Sequence, residues 1–120
     1  MSREKVFISV PEDNQALADK KIAEVFAEGY LPMEPAFVCD IRGIRNTEHN
    51  RRKILEECQS IRVYGPEWTD RMWRDIRCAM SLDIPVYSDQ DMIPGSRPIR
   101  LDAEPPQNNK SKRKKNAYER

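Results

Sequence analysis

The fold is decided by residues 61–87, which read IRVYGPEWTDRMWRDIRCAMSLDIPVY. The apolar run Ile61–Tyr64 predicts a strand, and Gly65-Pro66 predicts the tight turn that ends it. An amphipathic pattern predicts a helix over Thr69–Leu82, and Ile84–Tyr87 predicts the next strand. A helix that follows a strand in this way begins at the carboxyl edge of a sheet, where open α/β folds bind ligands. Its free N–H groups favour anions there.

The same alternation extends upstream to the start of the chain. Lys5–Val10 predicts a buried strand, and the helix that follows it should end at Gly29. Tyr30–Met33 predicts a second strand, Ala36–Thr47 is expected to be irregular, and Glu48–Cys58 is expected to be helical. The order of elements predicts a small Rossmann-like, three-layer α/β domain. It should have a four-stranded parallel sheet with helices on both faces.

The character of the chain changes after Tyr87. Residues 1–87 should form the α/β domain, residues 88–104 an irregular arm, and residues 105–120 a disordered basic tail. The arm and tail are interrupted by Pro94, Pro98, Pro105 and Pro106. The net charge of the whole chain is +1, so contact with nucleic acid is expected only through the tail, where Lys112–Lys115 is basic.

Composition excludes several classes of protein. The chain has 120 residues, 38% hydrophobic and 34% charged, so its core is lean and a homo-oligomer is expected. The three cysteines are widely spaced, which argues against a disulfide framework and a zinc knuckle and favours a reducing cytoplasm. No apolar run is long enough to span a membrane, and no metal or other cofactor is predicted. We expect a cytoplasmic protein.

Several stretches carry a resemblance to a known superfamily. They are Lys5–Ser9 followed by Pro11 and Asn14, then Cys58–Gly65, then Thr69–Ile76, with Ala79 and Ile84–Val86 completing the pattern. Together they resemble the nucleoside 2-deoxyribosyltransferase-like proteins, in particular the short, uncharacterised and often phage-borne members. The resemblance covers roughly residues 5–87.

The resemblance implies a specific chemistry. Members that act as enzymes use a helix glutamate as the nucleophile on the anomeric carbon of the sugar, and Asp75 holds the matching position. Asp75 is one methylene shorter, and misplacement of a catalytic group by about 1 Å can cost about 100-fold in rate. The chain also departs from the family pattern at Val10, Gln59 and Arg71.

Asp75 is also singled out by its position on the predicted helix. It borders the apolar stripe of Met72, Ile76 and Ala79, where a carboxylate is partly desolvated and its pKa is open to tuning. Such a carboxylate stabilises the positive charge that develops when an N-glycosidic bond breaks. The alternatives are an ion pair with a neighbour such as Arg71 or Arg74, or plain exposure to solvent.

Residues near the predicted sheet edge are candidates for ligand binding. They are Ser9, Pro11 and Asn14 after the first strand, the aromatic residues Phe37, Tyr64 and Trp68, and Gly65, Thr69, Arg71 and Met72 around the turn and helix start. Asn14 and Thr69 are equally suited to cap helices, and each aromatic residue is equally suited to packing. His49, the only histidine, is expected at the surface.

Three functions remain open at this point. The first is a nucleoside- or nucleotide-binding deoxyribosyltransferase-like protein that cleaves or transfers an N-glycosidic bond through Asp75. The second is a non-catalytic sponge or sensor for a nucleotide-derived signal, such as a phage-encoded anti-defence protein, which the departures at Val10, Gln59 and Arg71 favour. The third is an interaction module that works through the basic arm.

Overall fold

The computed structural model describes residues 3–90 and the backbone of residues 97–98. The predicted arm lies mostly outside the described residues, and the predicted basic tail lies entirely outside them.

The chain forms an α/β domain around a parallel sheet with the strand order β2-β1-β3-β4-β5. In chain order, the elements are β1 (Lys5–Ser9), α1 (Gln15–Ala27), β2 (Leu31–Met33), α2 (Pro35–Arg42), α3 (Glu48–Glu56), β3 (Ser60–Val63), α4 (Asp70–Ser81), β4 (Val86–Ser88) and β5 (Arg97–Pro98). The predicted fold class is confirmed. The first four strands are the predicted parallel sheet, and the two-residue β5 pairs with the outer edge of β4.

Helices cover both faces of the sheet, as predicted, but unequally. Val6 and Ile8 pack with α1 on one face, while Phe7 points to the other face and joins the larger core. That larger core is built with α2, α3 and α4, including Ile54 and Ile76. The alternation of neighbouring residues along β1 follows from the two-residue period of a strand.

The prediction of an irregular segment at Ala36–Thr47 is wrong in its first half, which is helix α2. Pro35 occupies the first turn, where its missing N–H costs no hydrogen bond and its fixed φ suits a helix. The Glu34 side chain caps the helix, and Gly43 ends it with a φ of 69°. Pro35 therefore both follows β2 and starts a helix, whereas the sequence interpretation used it only as the end of a strand.

The stretch at 61–87 folds as the predicted strand, helix and strand. The strand predicted at Ile84–Tyr87 begins two residues later and ends one residue later than expected, so Ser88 belongs to β4 rather than to the arm. Gly65 turns the chain after β3 with a φ of 113°, and its N–H donates to Asp89 Oδ1 at 3.1 Å. In the part of the chain that the structure describes, no helix has the length and apolar character needed to cross a membrane.

Candidate functional site

A small cleft lies at the carboxyl end of β1, where the strand order reverses. From β1 the chain crosses to β2 on one side, and from β3 it crosses to β4 on the other. Ligands in open α/β sheets bind at such a switch point. The cleft has a volume of about 40 Å³, and its lining includes Ser9, Glu34, Arg51, Arg71 and Asp75.

Asp75 is held at the cleft by two specific partners. It lies on α4 with only 6% of its surface exposed. Its Oδ2 accepts a hydrogen bond from Ser9 Oγ at 3.1 Å, and its Oδ1 accepts one from Arg51 Nε at 3.3 Å. Burial raises the pKa of Asp75, and this effect outweighs the opposing effects of Arg51 and Ser9. The carboxylate is more deeply buried than the sequence predicted.

The ion-pair partner of Asp75 is Arg51 on α3, and not a neighbour such as Arg71 or Arg74 on its own helix. Arg51 is 5% exposed. It precedes the buried Ile54 by three residues and Leu55 by four, so it lies on the apolar face of α3. That spacing was a signal for a buried arginine, but no role was assigned to Arg51 from the sequence.

Two predicted ligand-binding residues on the loop after β1 do line the cleft, and both also have structural roles. Asn14 caps α1, its side chain accepting from Leu17 N at 3.1 Å. Pro11 lies against the turn at Gly65, where a Cβ would sit 3.4 Å from the Pro11 Cδ. Ser9 and Arg71 also line the cleft.

The amino end of α4 is occupied by the protein's own carboxylate. The Thr69 hydroxyl accepts from Met72 N at 3.3 Å and donates to Glu12 Oε1 at 2.6 Å. This bond is the main cause of the lowered pKa of Glu12. The same hydrogen bond connects the loop after β1 to α4. The negative charges of Glu12 and Asp70 disfavour the binding of a further anion at this helix end. The predicted anion site at this helix end is therefore unfavourable.

The predicted aromatic surface does not form at the cleft. Tyr64 is buried on the α1 face of the sheet, with Lys21 Nζ 4.8 Å from its ring centre. Trp68 packs edge-to-face on Trp73 at 5.2 Å and donates its Nε1–H to Gly65 O. Phe37 is exposed on α2. Tyr64 and Trp68 therefore follow the packing alternative. None of the three rings lines the cleft.

Met72 belongs to the core and not to the ligand-binding surface. It is fully buried, and its sulfur accepts from the Thr69 N–H at 3.4 Å. Its position in the apolar stripe of α4 had already indicated that its side chain would be buried.

Several cleft residues besides Arg51 were missed from the sequence, among them Glu34 and Asn46. Glu34 is buried and accepts from Phe37 N at 2.9 Å, so its charge is held by the start of α2. Asn46 lines the cleft, and its Oδ1 is buried with no hydrogen-bond partner among the described residues. A proline at the first helical position is a recognised helix-start signal and places Glu34 at the cap, whereas nothing local marked Asn46.

A second concavity lies on the other side of the Arg51–Asp75 pair, between α3 and α4. It has a volume of about 420 Å³. Four arginines line it, and we call it the arginine groove: Arg51 and Arg52 from α3, and Arg74 and Arg77 from α4. His49, placed at the surface by the sequence, lies in its wall.

Comparison of the chain with protein-family models, with curated proteins and with solved structures found no match. Within residues 3–90, no group of three or more histidine, cysteine or acidic side chains is arranged to hold a metal ion.

Proposed function

We propose that the cleft binds the sugar of a nucleoside or nucleotide, with Asp75 facing the anomeric carbon. The observation that carries this proposal is a buried carboxylate, fixed by Ser9 and Arg51, at the switch point of a parallel sheet. The resemblance of residues 5–87 to deoxyribosyltransferase-like proteins puts the same residue at the matching position.

The chemistry assigned to Asp75 is nucleophilic. One carboxylate oxygen bonds to the anomeric carbon while the bond to the base breaks, and the base leaves with the electron pair and takes a proton from water. Water then attacks the glycosyl ester, which releases the sugar and regenerates Asp75. Each Asp75 oxygen accepts one hydrogen bond, so a lone pair remains for the sugar. The bond from Arg51 holds that carboxylate in one orientation.

The size of the cleft sets a requirement for binding. A volume of about 40 Å³ has room for little more than one water, so a sugar enters only when a side chain moves out of the way. Arg71 is partly exposed at the cleft and has no hydrogen bond or ion pair within the described residues, which makes it the side chain best suited to move.

A second candidate is a non-catalytic binder of the same class of ligand. It is favoured by the same two contacts, because a carboxylate bonded through both oxygens is also a stable structural anchor. In this case Asp75 shapes the cleft, and the ligand is retained without a bond being broken.

The test is incubation of the pure protein with a panel of nucleosides and nucleotides, followed by filtration and mass spectrometry of both fractions. Release of free base supports the enzyme, and a compound retained and recovered intact after denaturation supports the binder. If nothing is consumed or retained, both candidates are wrong.

Variants then assign the role of Asp75. We expect Asp75→Asn to abolish base release, whereas Asp70→Asn, an exposed carboxylate on the same helix, leaves it intact. Because Asp75→Asn leaves Arg51 buried without its charge partner, Ser9→Ala is measured beside it. Ser9→Ala keeps the ion pair and should slow base release. Full turnover by a folded Asp75→Asn protein contradicts the mechanism.

A further inference from the structure

We propose that the arginine groove between α3 and α4 is a binding site for phosphate groups. This site lies on the other side of the Arg51–Asp75 pair from the cleft, and the proposal does not depend on the chemistry assigned to Asp75.

The two helices that form the groove bring their cations to facing walls. Both α3 and α4 lead into strands of the same parallel sheet, so they run in the same direction on one face of it. Arg52 extends from α3, while Arg74 and Arg77 are three residues apart on α4 and lie on one side of that helix. The groove is therefore lined by cations contributed by two elements.

The positive charge of the groove is only partly neutralised. Asp75 is paired with Arg51, and Arg52 Nε lies 3.2 Å from Glu56 Oε2. Arg74 and Arg77 are exposed, and neither makes an ion pair with another residue of the described part of the chain. Glu48 is the remaining carboxylate in the lining of the groove. Two like charges one turn apart destabilise a helix slightly, and a bound anion would relieve this repulsion.

The shape of the groove suits a chain of phosphates. Its volume of about 420 Å³ is roughly ten times that of the cleft, and its floor includes Leu55 and Cys78. An apolar floor strengthens the field of the surrounding cations. Guanidinium groups present paired N–H donors in the geometry that phosphate oxygens accept, and they remain charged at any physiological pH.

The group that the groove binds is phosphate. Two kinds of ligand carry it: free polyphosphates or nucleotides, and the backbone of a nucleic acid. The overall charge of +1 gave no indication of this surface, because the arginines are offset by carboxylates elsewhere in the chain.

The experiment uses the full chain and two probes, inorganic tripolyphosphate and a 12-nucleotide single strand. Calorimetry measures the affinity for each probe at two salt concentrations. A second readout is the rate at which maleimide labels Cys78, whose sulfur lies 3.6 Å from Arg52 Nη1 in the groove. Cys39 and Cys58 are buried and serve as unlabelled references. A bound phosphate chain should slow the labelling of Cys78.

The key variant is Arg74→Gln with Arg77→Gln, and its matched control is Lys20→Gln with Lys53→Gln. Both remove two exposed cations, and Lys53 lies next to Arg52 in sequence but outside the groove lining. We expect the groove variant to weaken binding at least tenfold and to remove the protection of Cys78. For the oligonucleotide, the slope of log affinity against log salt should fall by about 1.4 in magnitude, the value for two lost phosphate contacts. The control should stay within twofold.

Three outcomes would overturn the proposal: no binding of either probe at millimolar concentration, an equal loss in both variants, or binding that leaves Cys78 labelling unchanged. Tighter binding of tripolyphosphate than of the oligonucleotide assigns the groove to free polyphosphates or nucleotides. The reverse order assigns it to nucleic acid.

Discussion

The cleft and the arginine groove share one wall, the Arg51–Asp75 pair, and differ in almost everything else. In the cleft, the carboxylates of Glu12, Glu34 and Asp75 each accept a hydrogen bond from another residue of the chain. Asp75 also forms an ion pair with Arg51. In the groove, Arg74 and Arg77 are exposed and, within the described residues, unpaired. The cleft measures about 40 Å³ and the groove about 420 Å³.

This difference separates residues that hold the fold together from residues that the fold does not need. Polar groups that satisfy one another in a buried site contribute to folding, and removing one leaves its partner without compensation. Exposed cations without partners contribute little to stability. The cleft and the groove should therefore respond in opposite ways to substitution.

The largest expected effect comes from breaking the shared pair. Arg51→Met leaves the buried Asp75 carboxylate without its counter-charge, which should cost about 3–5 kcal/mol of unfolding free energy. Arg74→Met, the same change on the exposed wall of the groove, should stay within about 0.5 kcal/mol. Urea unfolding at pH 7 measures both. Equal losses would contradict the contrast between paired and unpaired arginines.

The pH dependence of Arg51→Met carries a definite sign. Burial already raises the pKa of Asp75 above its ordinary value of 3.8, and loss of Arg51 raises that pKa further. An acid whose pKa is raised in the folded state costs stability as the pH rises from its unfolded pKa to its folded pKa, and it costs nothing below the unfolded pKa. The penalty of the variant should thus be larger at pH 7 than at pH 4. A constant difference between variant and parent would exclude a role for the Asp75 charge.

Much of the fold was predictable because local sequence patterns determine it. The strand, turn and helix around Gly65 follow from an apolar run, a Gly-Pro pair and an amphipathic stripe, each within a few residues. Helix α2 was missed because Pro35 has two local meanings, the end of a strand and the first turn of a helix. Only the Glu34 side chain, which caps the helix in the folded chain, distinguishes them.

The site was less predictable because its key contacts join distant residues. Asp75 was found from its place beside the apolar stripe, but Ser9 lies 66 positions away and Arg51 lies 24 away. Tyr64 was assigned to the cleft, yet strand alternation turns it to the α1 face, opposite Val63. The groove was missed because it requires two helices to pack side by side, which no single stretch of sequence records.

The backbone beside the cleft should be the next most sensitive feature. Gly65 has a φ of 113°, which L side chains rarely adopt, and a Cβ there would meet Pro11 Cδ at 3.4 Å. Gly65→Ala should cost about 1–3 kcal/mol. Gly43→Ala, at a φ of 69° with open space around it, should cost about 1 kcal/mol. Thermal unfolding ranks the two, and a larger loss at Gly43 would contradict the tight turn at the cleft.

A smaller change in stability is expected from loss of the hydrogen bond between Glu12 and Thr69. Glu12→Gln weakens the 2.6 Å bond from the Thr69 hydroxyl, which should cost about 0.5 kcal/mol at pH 7 because the site is exposed. The pKa of Glu12 is lowered in the folded chain from 4.5, so its contribution is present above that pH and is lost as the pH falls further. The difference in stability between parent and variant should be smaller at pH 2.5 than at pH 7. A loss of the same size at both pH values would assign the effect to packing.

The smallest change in stability should accompany the largest change in phosphate binding. Arg74→Gln with Arg77→Gln removes a repulsion between exposed cations three residues apart, so the unfolding free energy should be unchanged or rise by a few tenths of a kcal/mol, about 0.2–0.5. Chemical unfolding in low salt measures this, since salt screens the repulsion. A loss of more than about 1 kcal/mol would mean that these arginines support the fold. Stability that holds while binding is lost would distinguish a surface kept for a ligand from one kept for folding.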